Sequence, residues 1–460
     1  MICRFAVLSL AALACLPRPS TAADAPPNTD AVQRLERRLD DLQREMAAMK
    51  TEIQQLKAEN QALGLAQQQQ ATQSQVAADG ANPSKAPSGG ISENLSLWGY
   101  GEIYYTHPTH VPSDTQFDLA RAVFGIGYRF DERTVFNSEF EVEHSVASAT
   151  DKGEFEVEQF YVDHQLAPWA SVKAGLFLMP FGLLNEHHEP TNFYGVQRNF
   201  VETLIIPSTW REGGFGLHGN TEIGLNWDVG VTTGLDLGGW NVNPASPQYR
   251  TALELIDSNI APMQATHQEL SLANAHHLSQ YAALNYSGIP GLLAGAAIFS
   301  GDAAQPTVPA GLPSERVTLW EGHARWTPGA AEISAVYARG RISNTAAFNL
   351  SFTAATNPLP AEFLGYYLQG AYTIWEDGGY RLAPFVRWEH YDMGAAYEGI
   401  APGATTVAAD GQPWPQPRDR VWSVGANFYV TPHVVFKVDY QSFDVNKDLT
   451  RFDVGLGLAF

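Results

Sequence analysis

From residue 94 onward, apolar and polar residues alternate with a period of two in one segment after another, and this constrains the fold more than any other feature. The last segment shows it in its simplest form. Phe452, Val454, Leu456, Leu458 and Phe460 alternate with Arg451, Asp453, Gly455, Gly457 and Ala459. Successive side chains of a strand point to opposite faces, so such a segment has one oily side and one polar or small side. Sixteen segments read this way: 94–106, 117–130, 133–145, 153–166, 169–179, 210–220, 222–235, 276–287, 291–301, 315–327, 330–341, 362–375, 379–391, 418–430, 432–443 and 448–460. Seven of their connections are tight turns: Asp131-Glu132, Ala167-Pro168, Asn220-Thr221, Gly288-Ile289-Pro290, Pro328-Gly329, Glu376-Asp377-Gly378 and Thr431-Pro432. The other connections are mostly longer, so short and long alternate along the chain.

An even number of strands joined alternately by short turns and long loops is the layout of an outer-membrane barrel, with the turns facing the periplasm. In lipid every strand edge must be paired, so sixteen antiparallel strands must close on themselves. A barrel of that size has room for a water-filled lumen. The expected fold is therefore an all-β, 16-stranded antiparallel transmembrane β-barrel over 94–460, and a pore unless a plug fills it. Sixteen one-sided strands would otherwise need two large sandwiches, and blade repeats for a propeller are not apparent. Composition agrees. Charged residues make up 17% of the chain, against roughly 25% in an ordinary soluble domain. Aromatics reach 11%. Beyond the extreme N-terminus there is no apolar run long enough for a spanning helix. A formal net charge of -21 excludes a nucleic-acid binder driven by phosphate neutralisation.

The segment before the barrel divides into three. Residues 1–23 read as a secretory signal: Arg4, the apolar stretch from Phe5 to Leu16, then Ser20-Thr21-Ala22-Ala23 for cleavage. Both cysteines, Cys3 and Cys15, lie within it, and Ala12-Leu13-Ala14-Cys15 leaves lipoprotein processing open as a rival. Residues 30–63 carry an unbroken heptad and read as an α-helical coiled coil. Its a positions are Val32, Leu39, Met46, Ile53 and Asn60; its d positions are Leu35, Leu42, Met49, Leu56 and Leu63. A 3.5-residue period held this long implies a left-handed supercoil with partner chains, and a lone Asn at a fixes register. Residues 64–92, rich in Gln, Ala, Ser, Pro and Gly, form a linker. With both barrel ends on the turn side, the coiled coil lies in the periplasm.

One stretch carries a family resemblance. Residues 179–216 include Met179-Pro180-Phe181-Gly182-Leu183-Leu184, then His187-His188-Glu189-Pro190, and end on Thr209-Trp210-Arg211-Glu212-Gly213-Gly214-Phe215-Gly216. This resembles the strand-five, loop-three and strand-six region of the phosphate-selective porin O/P family. Phe460 and the alternation before it resemble the C-terminal insertion signal of outer-membrane barrels, and the leading coiled coil resembles that of trimeric dicarboxylate-type porins. The resemblance implies a homotrimer of sixteen-stranded barrels, loop three folded into each lumen, and passive diffusion of small, often anionic solutes such as phosphate or dicarboxylates. Charge departs from the phosphate-selective pattern. Residues 91–460 hold 40 acidic and 19 basic side chains, and the third segment puts Asn137, Glu139, Glu141 and Glu143 on one face. Carboxylates are costly in lipid, so that face should line the lumen.

Selectivity in a pore depends on the charges and width of its narrowest ring. Alternation nominates Arg121 and Arg129 on segment two, Lys173 on five, Arg387 with Glu389 on thirteen, and Lys437 with Asp439 on fifteen as pore-lining. If the long connection 180–209 folds inward, Arg198 and Arg211 are the expected constriction cations and Glu202 the expected anion. The same groups could instead tie the loop to the wall. Metal chemistry is not expected at His187-His188, because adjacent residues on an extended chain point apart. With neither a Gly-x-Ser-x-Gly elbow nor a phosphate loop, no enzyme and no cofactor is expected. The expected partners are outer-membrane lipid, lipopolysaccharide and solutes in transit. The rival function is an envelope tether with the barrel as anchor.

Overall fold

The computed structural model describes residues 94–145, 153–243, 260–309, 311–406 and 418–460. The expected signal segment, coiled coil and linker lie outside these residues. Each alternating segment forms strand. The strands are β1 (Leu95–Pro108), β2 (Gln116–Arg129), β3 (Thr134–Glu143), β4 (Phe155–Ala167), β5 (Ala170–Leu178), β6 (Arg211–Asn220), β7 (Leu225–Thr233) and β8 (Leu278–Ile289). There follow β9 (Leu292–Asp302), β10 (Arg316–Trp326), β11 (Ala331–Ile342), β12 (Glu362–Tyr372), β13 (Trp375–Asp377), β14 (Tyr380–Ala396), β15 (Arg418–Thr431), β16 (Val434–Phe443) and β17 (Arg451–Ala459).

All pair antiparallel in one sheet, and the sheet closes because β1 pairs with both β2 and β17. The short β13 adds no seventeenth stave. It continues the edge of β12 along β14: Ala371 faces Phe385 and Trp375 faces Leu382, a slip of one residue, as at a bulge. The barrel thus has sixteen strand positions. Strand ends fall within about three residues of expectation, apart from β14, which runs on to Ala396. At the start of β7 a four-residue turn intervenes, with Gly224 at φ +82°, a conformation glycine adopts without a Cβ penalty.

The two faces separate as period two requires. Phe117 and Phe215 on the outer face are 76% and 70% exposed, whereas Glu158, Glu389 and Asp453 on the inner face are 0% exposed. A band of bare aromatic rings is untenable in water and natural in hydrocarbon. The interior is not an empty pipe. Loop three, residues 179–210, buries Phe181, Val201, Leu204, Ile205 and Trp210 against Phe299, Leu319 and Phe363 of the wall, and later loops add Leu237, Met263 and Leu359. Trp98 and Tyr104 of β1 point inward: the indole of Trp98 donates to Glu139 at 2.6 Å, and Tyr104 lines a lumenal cavity.

Candidate functional site

Loop three is pinched shut at its base. Met179 N–H donates to Trp210 O at 2.9 Å. The Asn185 amide bridges both ends, donating to the Met179 and Trp210 carbonyls and accepting from Trp210 N–H at 2.7 Å. Glu202 organises the loop from within. It accepts from Leu183 and Leu184 N–H, from the Asn199 amide at 2.8 Å and from the Tyr367 hydroxyl at 3.0 Å. Gly182, at φ +68°, packs against this carboxylate, and a Cβ there would collide with Glu202 Oε1. Burial pushes the Glu202 carboxyl above its ordinary range, and its donors pull the other way.

From this base the loop crosses the lumen to the far wall of β14–β17. Phe200 N–H donates to Glu389 at 2.7 Å and Val196 N–H to Asp439 at 2.5 Å. Asn427 accepts from Gly195 N–H and donates to Phe193 O. Arg387, ion-paired with Glu389 at 2.9 Å, donates to Tyr194 O. Arg451, paired with Asp453 at 2.8 Å, donates to Gln197 at 2.6 Å. On the near wall the His188 ring meets the Tyr100 hydroxyl at 2.7 Å and Asn185 O at 2.8 Å, while Arg121 donates to His188 O. Burial, then the charges of Arg121 and Arg198, push His188 down to about 3, so its imidazole is neutral at neutral pH.

Two cavities flank the loop and share no lining residue. The one toward the long-loop end measures about 170 Å³ and is lined by Arg121, Arg198 and Arg211 together with Glu102, Glu141, Glu143, Glu154, Glu156 and Glu269. Arg121 pairs with Glu102 at 2.8 Å; Arg211 pairs with Glu156 at 2.5 Å and Glu269 at 3.1 Å. Arg198 donates to Thr209 Oγ1 at 3.1 Å. Burial and the Arg121 charge draw Arg198 below its usual range, but a guanidinium remains protonated. The other cavity, about 570 Å³, opens among the short turns and is lined by Tyr194, Glu332, Arg381 and Tyr429 among others.

The eight nominated residues therefore divide. Arg121, Arg198 and Arg211 come together at one cavity. Glu202 does not face it: its oxygens are engaged by the loop's own N–H and amide groups and by Tyr367 of β12, because a tight turn of chain needs a carboxylate to collect its N–H groups. Arg387 faces inward but is 2% exposed and bonded to loop and wall. Lys437, also buried, lies 3.4 Å from the centre of the Phe193 ring. Lys173 pairs with Asp228 at 2.6 Å on the β5–β7 wall, and Arg129 sits at the turn end of β2; neither lines either cavity. Sequence reading missed Glu269, which arrives on the long β7–β8 connection, and the Arg451–Gln197 tie. For the latter the signal was present, since Arg451 and Asp453 share the polar face of the last segment.

Comparison with known proteins adds three findings. The family described as phosphate-selective porin O and P matches residues 96–451. An uncharacterized protein of Aquifex aeolicus (strain VF5) is 27% identical over 368 residues, 77% of each chain. Among solved structures, Salmonella typhi OmpF in complex with daunomycin aligns with a TM-score of 0.51 at 14% identity, covering 80% of this chain and 97% of that one. A likeness at that identity speaks for the fold alone.

Proposed function

Since the chain belongs to the phosphate-selective porin O and P family and forms an outer-membrane β-barrel channel, we propose that it works as a homotrimeric diffusion porin. Small hydrophilic solutes pass down their gradient, sieved by loop three and sorted by the charges at the outer cavity. The observation that carries this reading is the loop seated across the lumen with a charged, open cavity beside it. The trimer rests on the resemblance noted in the sequence.

The cavity's charge bears on which solutes pass. Six carboxylates face three guanidiniums, and two of the guanidiniums are ion-paired. Fixed charge in a narrow, partly dehydrated passage attracts one sign far more than in bulk water. The surplus favours small cations over phosphate or dicarboxylate-like anions, against what the family description alone implies. Reversal potential across a KCl gradient in a planar bilayer tests both points. Large ohmic currents in steps of three with a cation-selective reversal support the proposal; anion selectivity would sink the charge argument.

A second reading has one observation in its favour. An apolar core of loop and wall side chains sits inside the barrel, as it would in an anchoring barrel with a plugged bore. The envelope-tether role then predicts a protein that inserts but stays electrically silent.

A further inference from the structure

Five aromatic rings run in a line around the outside of one arc of the wall. Trp320 meets Tyr337 at 5.2 Å between ring centres, Tyr337 meets Tyr366 at 6.1 Å, Tyr366 meets Trp388 at 5.6 Å, and Trp388 meets Trp422 at 6.4 Å. They belong to β10, β11, β12, β14 and β15, which are neighbours in the sheet. On each strand the register gives the next two outward positions toward the long loops. These are Thr318 and Arg316, Arg339 and Arg341, Leu364 and Glu362, His390 and Asp392, and Arg420 and Arg418. Five arginines and two acids thus sit just beyond the belt, on a chain whose net charge is -21. Among the described strand residues the other basic side chains, from Arg121 round to Arg451, belong to the inner face.

Such a row needs an anion. Arg339 has one in Glu362 at 2.6 Å, and Arg316 donates to Ser300 at 3.3 Å. Arg341 and Arg418 stand opposite Glu362 and Asp392 in the register, and they and Arg420 are exposed, so five guanidiniums share two carboxylates. A belt of Trp and Tyr marks the headgroup level of a bilayer, so these guanidiniums stand where lipid phosphates lie. Guanidinium forks match phosphate oxygens two by two, with charge-assisted bonds. On the other side of the belt Leu368, Val386 and Val424 are exposed and apolar, a surface for acyl chains.

We propose that this arc is a headgroup site for a phosphorylated glycolipid of the outer leaflet, with its phosphates on Arg341, Arg418 and Arg420 and its acyl chains below the aromatic line. The proposal rests on the outer-membrane placement of the barrel and is independent of what the lumen conducts. The test uses the full-length chain carrying R341Q/R418Q/R420Q, in detergent micelles doped with lipid A, with phosphatidylcholine micelles and inorganic phosphate as separate arms. Lipid A is expected to bind the wild type and to bind the variant at least about tenfold more weakly. Heat-modifiable gel mobility and single-channel conductance should stay unchanged, so a failure here and a failure of the porin reading are told apart. Equal lipid A binding by both proteins overturns the proposal. So does displacement of lipid A by millimolar inorganic phosphate, or a variant that loses its oligomer while keeping lipid A, which would make the arc a subunit interface. Should the variant not fold, phenylglyoxal footprinting of the wild type decides the matter instead. Protection of these three arginines by lipid A is expected, and equal labelling with and without it refutes the site.

Discussion

The near and far walls of the lumen carry the same kinds of side chain, both hold the loop, and only the near wall also borders the charged cavity. On the near wall, Glu102, Arg121, Glu141 and Glu156 border a cavity with more carboxyl than guanidinium groups. On the far wall, the Arg387–Glu389 and Arg451–Asp453 pairs, with Asn427 and Asp439, have closed on the loop. The deciding variable is what stands opposite. Where backbone amides and carbonyls approach, arginine and carboxylate become fasteners; where the loop leaves a gap they line it, and Arg121 does both, holding His188 O while it faces the cavity. Charge alone on an inward face therefore does not identify a selectivity residue.

The sharpest challenge to this contrast is Arg387→Ala. It leaves the fully buried Glu389 without its cation and removes a bond to Tyr194 O, so it should destabilise the barrel by about 3–5 kcal/mol, read as a lower midpoint of heat-modifiable mobility. A reversal potential that moved as far as in a near-wall variant would abolish the distinction between the walls. Next in size is a pH effect in the loop. The His188 pKa falls from 6.5 to about 3 on folding, so below pH 6.5 the unfolded chain binds the proton first. Stability from this group is present at neutral pH and declines as pH falls from 6.5 to about 3, by roughly 2 kcal/mol at pH 5. His188→Asn should flatten that part of the slope, and a profile identical to wild type would mean that another group carries it. On the near wall, Arg211→Glu should shift selectivity further toward cations; an unmoved reversal potential would take Arg211 out of the path. The smallest effects belong to Lys437→Met, within about 1 kcal/mol because the ammonium rests on a ring and not on a counter-ion, and to Arg129→Gln, within about 0.5 kcal/mol. A large loss from either would show that the inward face is more tightly coupled than the two-wall division allows.

Much of the fold was legible because period two and alternating connection length are both local. Faces followed as well: Glu139 and Glu141 stand on the lumenal side, where their cost in lipid requires them. Parity fails at bulges. The register of β3 with β4 shifts after Glu139, so Glu156, Glu158 and Gln159 all reach the inside, and no count by twos gives that. Nor could alternation show that Arg121 lines a cavity and Arg387 does not, since both pair with a carboxylate and donate to a loop carbonyl. Their difference depends on a loop nearly two hundred residues away from Arg387 along the chain. Glu202 misled for the same reason: an acid in a long loop reads as a pore charge until its own loop's amides are seen to claim it.

The seam between the first and last strands has a consequence for maturation. The Thr106 hydroxyl of β1 donates to Asp453 of β17, the carboxylate that holds Arg451 in place against Gln197. The final stitch of the tube is thereby coupled to the fastening of its filter. A molecule still unzipped would lack part of the set of anchors for the partition across its bore.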